Sequence, residues 1–145
     1  FVIIIIGFFY FSEKIQYHIN WEPFTTGEFS FLNIVSENET VLSDPETSLI
    51  ISGIKGINVV GITKNHGNPL NINQISIRYD ELNKFFYNSS EIEKIIILDK
   101  YGVDYILINK LNTKNFKNIS TQIHNKSELK YESITYNLYR YQHEI

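Results

Sequence analysis

Three polar residues stand where a small α/β sheet would place its chemistry: Asp44, His66 and Asn109. Each follows a short apolar, β-branched run. Asp44 ends TVLSD, His66 lies just beyond INVVGIT, and Asn109 closes YILIN. In open parallel sheets, ligands bind beyond the carboxyl ends of the strands. A carboxylate, an imidazole and an amide at those ends would face one crevice and hold a polar substrate. Each also has a plain structural role. Asp44 precedes Pro45-Glu46, the pattern of a helix cap. His66 sits in a Gly-Asn-Pro turn open to water. Asn109 is a common turn former after a strand.

Other chemistries lack their residues. His18, His66, His124 and His143 are scattered, with no metal-ligand spacing such as His-x-x-x-His. The chain has no cysteine, so disulfides and thiolate metal sites are excluded. SDPETS, after the first strand, lacks the glycines that let a backbone approach a pyrophosphate. No Gly-x-Ser-x-Gly elbow marks a serine hydrolase. Glu37/Glu39 and Glu91/Glu93 read as surface charges or caps. Tyr131, Tyr136, Tyr139 and Tyr141 have rings that stack on sugars, but they read first as half-buried strand residues. The expectation is therefore no catalytic residue, no metal, no cofactor, and a substrate-binding set of Asp44, His66 and Asn109. Asp104 reads as a strand residue pointing to solvent.

The elements that must position this set follow from pattern. Thr40–Ser43, Ile57–Thr63 and Val103–Asn109 are strand-like runs, with helices expected near 45–55, 74–87 and 90–101. Leu49, Ile50, Ile51 and Ile54 give the first helix its apolar face, and Gly56 stops it. Asn73 is placed to cap the second helix, whose apolar residues are Ile75, Tyr79, Leu82 and Phe86. Ser90 and Glu93 form a capping box for the third, with Ile92, Ile95, Ile96 and Leu98 as its apolar set. Gly102 ends that helix. Phe29–Glu37 reads as a short helix before the first strand, and Phe116, Ile119 and Ile123 as one near the end. Leu129–Tyr141 reads as a hairpin. Strands separated by helices pair in parallel. The fold class is thus α/β: a small Rossmann-like parallel sheet flanked by helices, with a C-terminal antiparallel hairpin.

The 145 residues suffice for one domain with a core. A net charge of −3 carries no basic footprint for nucleic acid. Alanine is absent, and Ile, Asn, Lys and Tyr are abundant, as an AT-rich gene would encode. Asn38, Asn88, Asn118 and Asn125 begin N-x-S/T sequons, which permit an external location. The start, FVIIIIGFFYF, is apolar throughout. It supplies roughly half of the ~20 residues of a membrane helix. Aromatic residues from Phe8 to Trp21 suit a membrane–water interface. Residues 1–11 read as the end of a transmembrane helix, 12–28 as a connector, and 29–145 as a soluble α/β domain.

The order of SDPETS, a glycine ahead of VVG, a His-Gly-Asn-Pro loop, KYGVDYILIN and a closing LYRY resembles a known arrangement. It is similar to the C-terminal extracytoplasmic domain of multi-pass membrane glycosyltransferases of the GT-C type. The resemblance covers roughly Val41 to Tyr141. It implies a full-length enzyme of the cell membrane that uses a lipid-linked sugar donor and a glycan acceptor. The catalytic acid of that class lies near the N-terminal membrane helices, so no catalytic residue carries over to this chain. The implied role here is a non-catalytic accessory domain outside the cytoplasm, reaching membrane lipid through the full-length protein. A binding or structural module of another multi-pass membrane protein is the alternative.

Overall fold

The computed structural model describes residues 29–55, 57–63, 72–113 and 116–143. The chain divides into two units, Phe1–Ser30 and Phe31–Ile145. The expected membrane-helix end and connector, like His66, lie outside the described residues. No helix among the described residues is long and apolar enough to cross a membrane.

The second unit is α/β with a five-stranded mixed sheet. Its strands are β1 (Thr40–Leu42), β2 (Asn58–Val59), β3 (Tyr105–Asn109), β4 (Ser127–Glu132) and β5 (Tyr136–Tyr141). Its helices are α1 (Pro45–Lys55), α2 (Ile72–Asn83), α3 (Glu91–Lys100) and α4 (Phe116–Ile123). The strand order is β2-β1-β3-β5-β4. β1 pairs in parallel with β2 and β3, while β3–β5 and β5–β4 are antiparallel. The expected parallel trio and closing hairpin are therefore both present.

β3 is the axis of the sheet, and all five of its residues are buried. Alternation sends Ile106 and Ile108 to one face and Tyr105, Leu107 and Asn109 to the other. The first face packs with Leu42, Phe85, Leu98 and Tyr139. On the second, Tyr105 lies opposite Arg140, whose guanidinium covers its ring at 5.6 Å. Burying one such isoleucine is worth about 1.5–3 kcal/mol. The hairpin tyrosines Tyr136, Tyr139 and Tyr141 are buried. Tyr139 donates to Ser120 Oγ at 3.0 Å and Tyr141 to Asp99 Oδ1 at 2.9 Å.

Several local expectations are corrected. The helix expected over 29–37 is a 3-10 turn, Ser30–Asn33, with Phe31 and Leu32 buried in it and Val35 buried just beyond. β2 is two residues rather than seven. It is an edge strand pairing only with short β1. At Gly61 the chain turns under α2, where an added Cβ would lie 3.1 Å from Arg78 Cβ. Asn73 lies inside α2, which starts one residue earlier. α1 buries Thr47, Ser48 and Ile51, whereas Ile54 is exposed. Ser43 and Ser48 share a hydroxyl hydrogen bond at 2.6 Å there. Asp104 does not point to solvent. Its Oδ2 accepts from Thr40 N at 2.8 Å and its own N–H donates to Thr40 O, which clamps the start of β1.

α3 follows its sequence signals at both ends. Ser90 Oγ accepts from Glu93 N, and Glu93 Oε2 accepts from Ser90 N at 2.9 Å, completing the capping box. Gly102 adopts φ +56°, where other residues are strained. Its inward face differs from expectation: Ile92 and Ile96 are exposed, and Lys94, Ile97 and Leu98 are buried. Lys94 reaches back to Ser89 O and Oγ at 2.8 and 2.7 Å and lies against the Phe85 ring. Burial pushes its amine below the ordinary lysine range.

Glu93 also pairs with Lys84 at 2.7 Å. The Lys84 contact, then the Ser90 backbone and side-chain bonds, hold its carboxyl at about 2, against an ordinary 4.5. A depressed carboxylate contributes stability that is complete above its unfolded value and disappears as pH falls through its folded value. Acid unfolding curves of wild type and Glu93→Gln should therefore differ fully above pH 4.5 and converge near pH 2. A gap between the curves that stays constant across that window would contradict the capping-box assignment.

Candidate crevice at the carboxyl ends of the parallel strands

The strand order places β1 between β2 and β3. The connection from β1 runs to β2 on one side, and the connection from β2 returns past β1 to β3 on the other, so a topological switch point lies between β1 and β3. Open α/β sheets bind ligands at that position, outside the carboxyl ends. A crevice of about 400 Å³ opens there. That volume falls in the range of small-molecule sites, about 300–1,000 Å³.

Each parallel strand contributes lining residues just past its end. Asp44, Pro45 and Glu46 follow β1, Thr63 follows β2, and Leu111 and Asn112 follow β3. The remaining wall is α2 and its continuation, through Tyr79, Asn83 and Tyr87. These three recur every four residues, one stripe on a helix surface. The last lies in a π turn, Lys84–Asn88. Such turns are rare and often sit at functional sites. This one sends Phe85 and Phe86 into the core while Tyr87 stays at the crevice.

Asp44 is 3% exposed. Its Oδ1 accepts from Thr47 N at 3.1 Å, and its backbone O accepts from Ser48 N, so it caps α1 as its sequence context predicts. Its Oδ2 is buried and has no hydrogen-bond partner. An orphaned buried acceptor costs about 1–3 kcal/mol, more when charged. Asn109 lies beneath the crevice rather than in its lining. Its Nδ2 donates to Thr47 Oγ1 at 3.1 Å. Its Oδ1 accepts from Leu111 N at 3.0 Å and Asn112 N at 3.3 Å, folding the turn that carries both residues to the rim. Asn112 Nδ2 in turn approaches Glu46 Oε2 at 3.5 Å. Asp44 and Asn109 are thus brought together through Thr47, one as wall and the other as support.

The crevice is acidic. Asp44 and Glu46 supply carboxylates, and no Lys, Arg or His is among its described lining residues. The Tyr87 phenol is raised above its ordinary range by burial first, then by the charges of Asp44 and Glu46. The groups present offer hydroxyl and amide hydrogen bonds, aromatic faces and negative charge. Among the described residues no group of three His, Cys, Asp or Glu is placed to hold a metal ion. The arrangement is suited to binding.

Sequence reasoning missed Thr47, Tyr79, Asn83, Tyr87 and Asn112 as participants. Tyr79 was expected on the buried face of α2. The four-residue recurrence of Tyr79, Asn83 and Tyr87 was the available signal, but it competes with the Leu82 and Phe86 pattern on the same helix.

The cap and the unpaired oxygen separate by substitution. Asp44→Ala should lower stability by about 0.5–2 kcal/mol through loss of the cap. Asp44→Asn keeps the acceptor for Thr47 N and should stay within about 0.5 kcal/mol of wild type in denaturant melts. Equal losses in both variants would show that charge, not capping, stabilises the site. In comparisons with known proteins, no family model matches this chain and no curated protein matches it.

Proposed function

We propose that this chain is a non-catalytic accessory domain of a polytopic membrane glycosyltransferase using a lipid-linked sugar donor. The soluble unit stands outside the cytoplasm, and the crevice holds the glycan acceptor. On this reading the fold is Rossmann-like: the order β2-β1-β3 with helical crossovers is the opening of a doubly wound sheet. The observation that carries it is the crevice at the switch point, walled by two tyrosines and edged with carboxylates and amides. Hydroxyl-rich rings are recognised by that combination of aromatic faces and hydrogen-bonding groups. The segment at the heart of the resemblance, KYGVDYILIN, supports the same reading. Its helix end, glycine stop and buried strand place Asn109 under the crevice. The net charge of −3 favours no nucleic-acid partner.

The test is glycan transfer by the full-length membrane protein carrying Tyr87→Ala. Tyr87 is 42% exposed, so its truncation should leave the melting temperature nearly unchanged. Losing one stacking face should raise the acceptor KM about tenfold, the equivalent of ~1.4 kcal/mol. Wild-type KM and kcat in this variant would remove the crevice from acceptor binding.

A further inference from the structure

We propose that the sheet end carrying the crevice docks on a zwitterionic bilayer surface, with the side chains of Leu111 and Ile134 entering the lipid. This goes beyond the acceptor reading and rests on its placement of the domain at a membrane. Leu111 and Ile134 are 74% and 92% exposed, the two most exposed large apolar side chains among the described residues. They belong to neighbouring turns. Asn109 lies opposite Tyr136 in the β3–β5 register, and just beyond that pair Lys110 N donates to Thr135 O at 2.8 Å. The turn after β3 and the tip of the hairpin are thereby tied side by side.

Neither turn needs an aliphatic residue. Turns favour Gly, Pro, Asn, Asp and Ser. Here a neighbouring polar side chain builds each one. Asn109 Oδ1 accepts from Leu111 N and Asn112 N. Ser133 Oγ accepts from Thr135 N at 3.2 Å and from Tyr136 N at 2.9 Å. Leu111 and Ile134 are left to project from backbone that is already fixed. Tyr87 shares the crevice lining with Leu111 and exposes part of its ring. An amphipathic phenol of that kind is favoured at a membrane–water boundary.

A specific protein interface covers about 800 Å² on each partner and needs matching shape. A bilayer needs no matching shape and takes up single aliphatic side chains by their apolar area. The charges at this end select the kind of lipid. Glu46, bonded by Asn112, and Glu132 are exposed, whereas the Lys110 amine is largely covered and pairs with Glu132 at 3.7 Å. Anionic headgroups would meet like charge. Because Leu111 also lines the crevice, docking brings the crevice mouth to the headgroups, where a saccharide carried on a lipid is presented.

The experiment places the full chain in phosphatidylcholine nanodiscs with a nitroxide on the upper acyl chain and reads amide broadening by NMR. The amides of Leu111, Asn112 and Ile134 should broaden, and those of Gly102 and Tyr141, at the other end of β3, should stay sharp. Replacing half of the lipid by phosphatidylglycerol should weaken the effect. The pair Leu111→Ser and Ile134→Ser lies at exposed positions, so the melting temperature should hold while the broadening falls about tenfold. Sharp Leu111 and Ile134 amides in a chain that still elutes with the nanodiscs would overturn the docking and leave membrane attachment standing. Broadening unchanged in the double variant, or stronger in anionic discs, would also overturn it. Dilution-dependent shifts at Leu111 and Ile134 in detergent micelles free of bilayer would assign the surface to a second copy instead. A chain that does not associate with nanodiscs at all would overturn this inference and the membrane reading together.

Discussion

Thr47 is the residue on which the site depends. It is 1% exposed and lies in the first turn of α1. Its amide donates to Asp44 at the end of β1, and its hydroxyl accepts from Asn109 at the end of β3. Two parallel strands and a helix are joined through one buried residue, by its backbone amide on one side and its hydroxyl on the other. Burying a hydroxyl and an amide is costly unless each finds its partner, so the network tolerates little displacement. It fixes where the crevice floor lies, and the turn folded on Asn109 Oδ1 fixes the rim.

The surrounding fold keeps that junction still. β3 is covered on both faces and lies between β1 and β5. The antiparallel hairpin, β4–β5, shields it on one side, with Tyr139 and Tyr141 tied to α4 and α3 by their hydroxyls. Asp104 ties the start of β1 to the approach of β3, opposite the Thr47 junction at the other end. The parallel pair is thus clamped at both ends by side chains rather than by a long ladder of backbone bonds. α2 and its π turn supply the aromatic wall. Arg78 on that helix donates to Val60 O at 3.3 Å beside the Gly61 contact, holding the wall against the end of β2.

The parts legible in sequence were those governed by local rules. Ser90 with Glu93, Gly102, and the Asp44-Pro45-Glu46 start each act within a few residues, and each stands where expected. The three strand runs and the hairpin were legible because apolar periodicity is a strong signal. What sequence misplaced depended on distant partners. Ile92 and Ile96 read as core, but the side of α3 that meets the sheet carries Ile97 and Leu98, and Lys94 enters because Ser89 offers it two acceptors. β2 was overextended because its length is limited by three-residue β1 rather than by its own apolar run. Asp104 read as solvated because its partner, Thr40, is 64 residues away. Asp44 and Asn109 were singled out for their position past strand ends, but the link between them runs through Thr47, which composition does not single out.

The most direct test is a double-mutant cycle on Thr47→Val and Asn109→Ala, read by denaturant unfolding. Valine keeps the shape of threonine and removes the hydroxyl that accepts from Asn109 Nδ2. If the Thr47–Asn109 bond joins the two strand ends, the cycle should return a coupling of about 1 kcal/mol. Losses that simply add, within about 0.3–0.5 kcal/mol, would mean that the two residues act independently and that the junction does not hold the crevice.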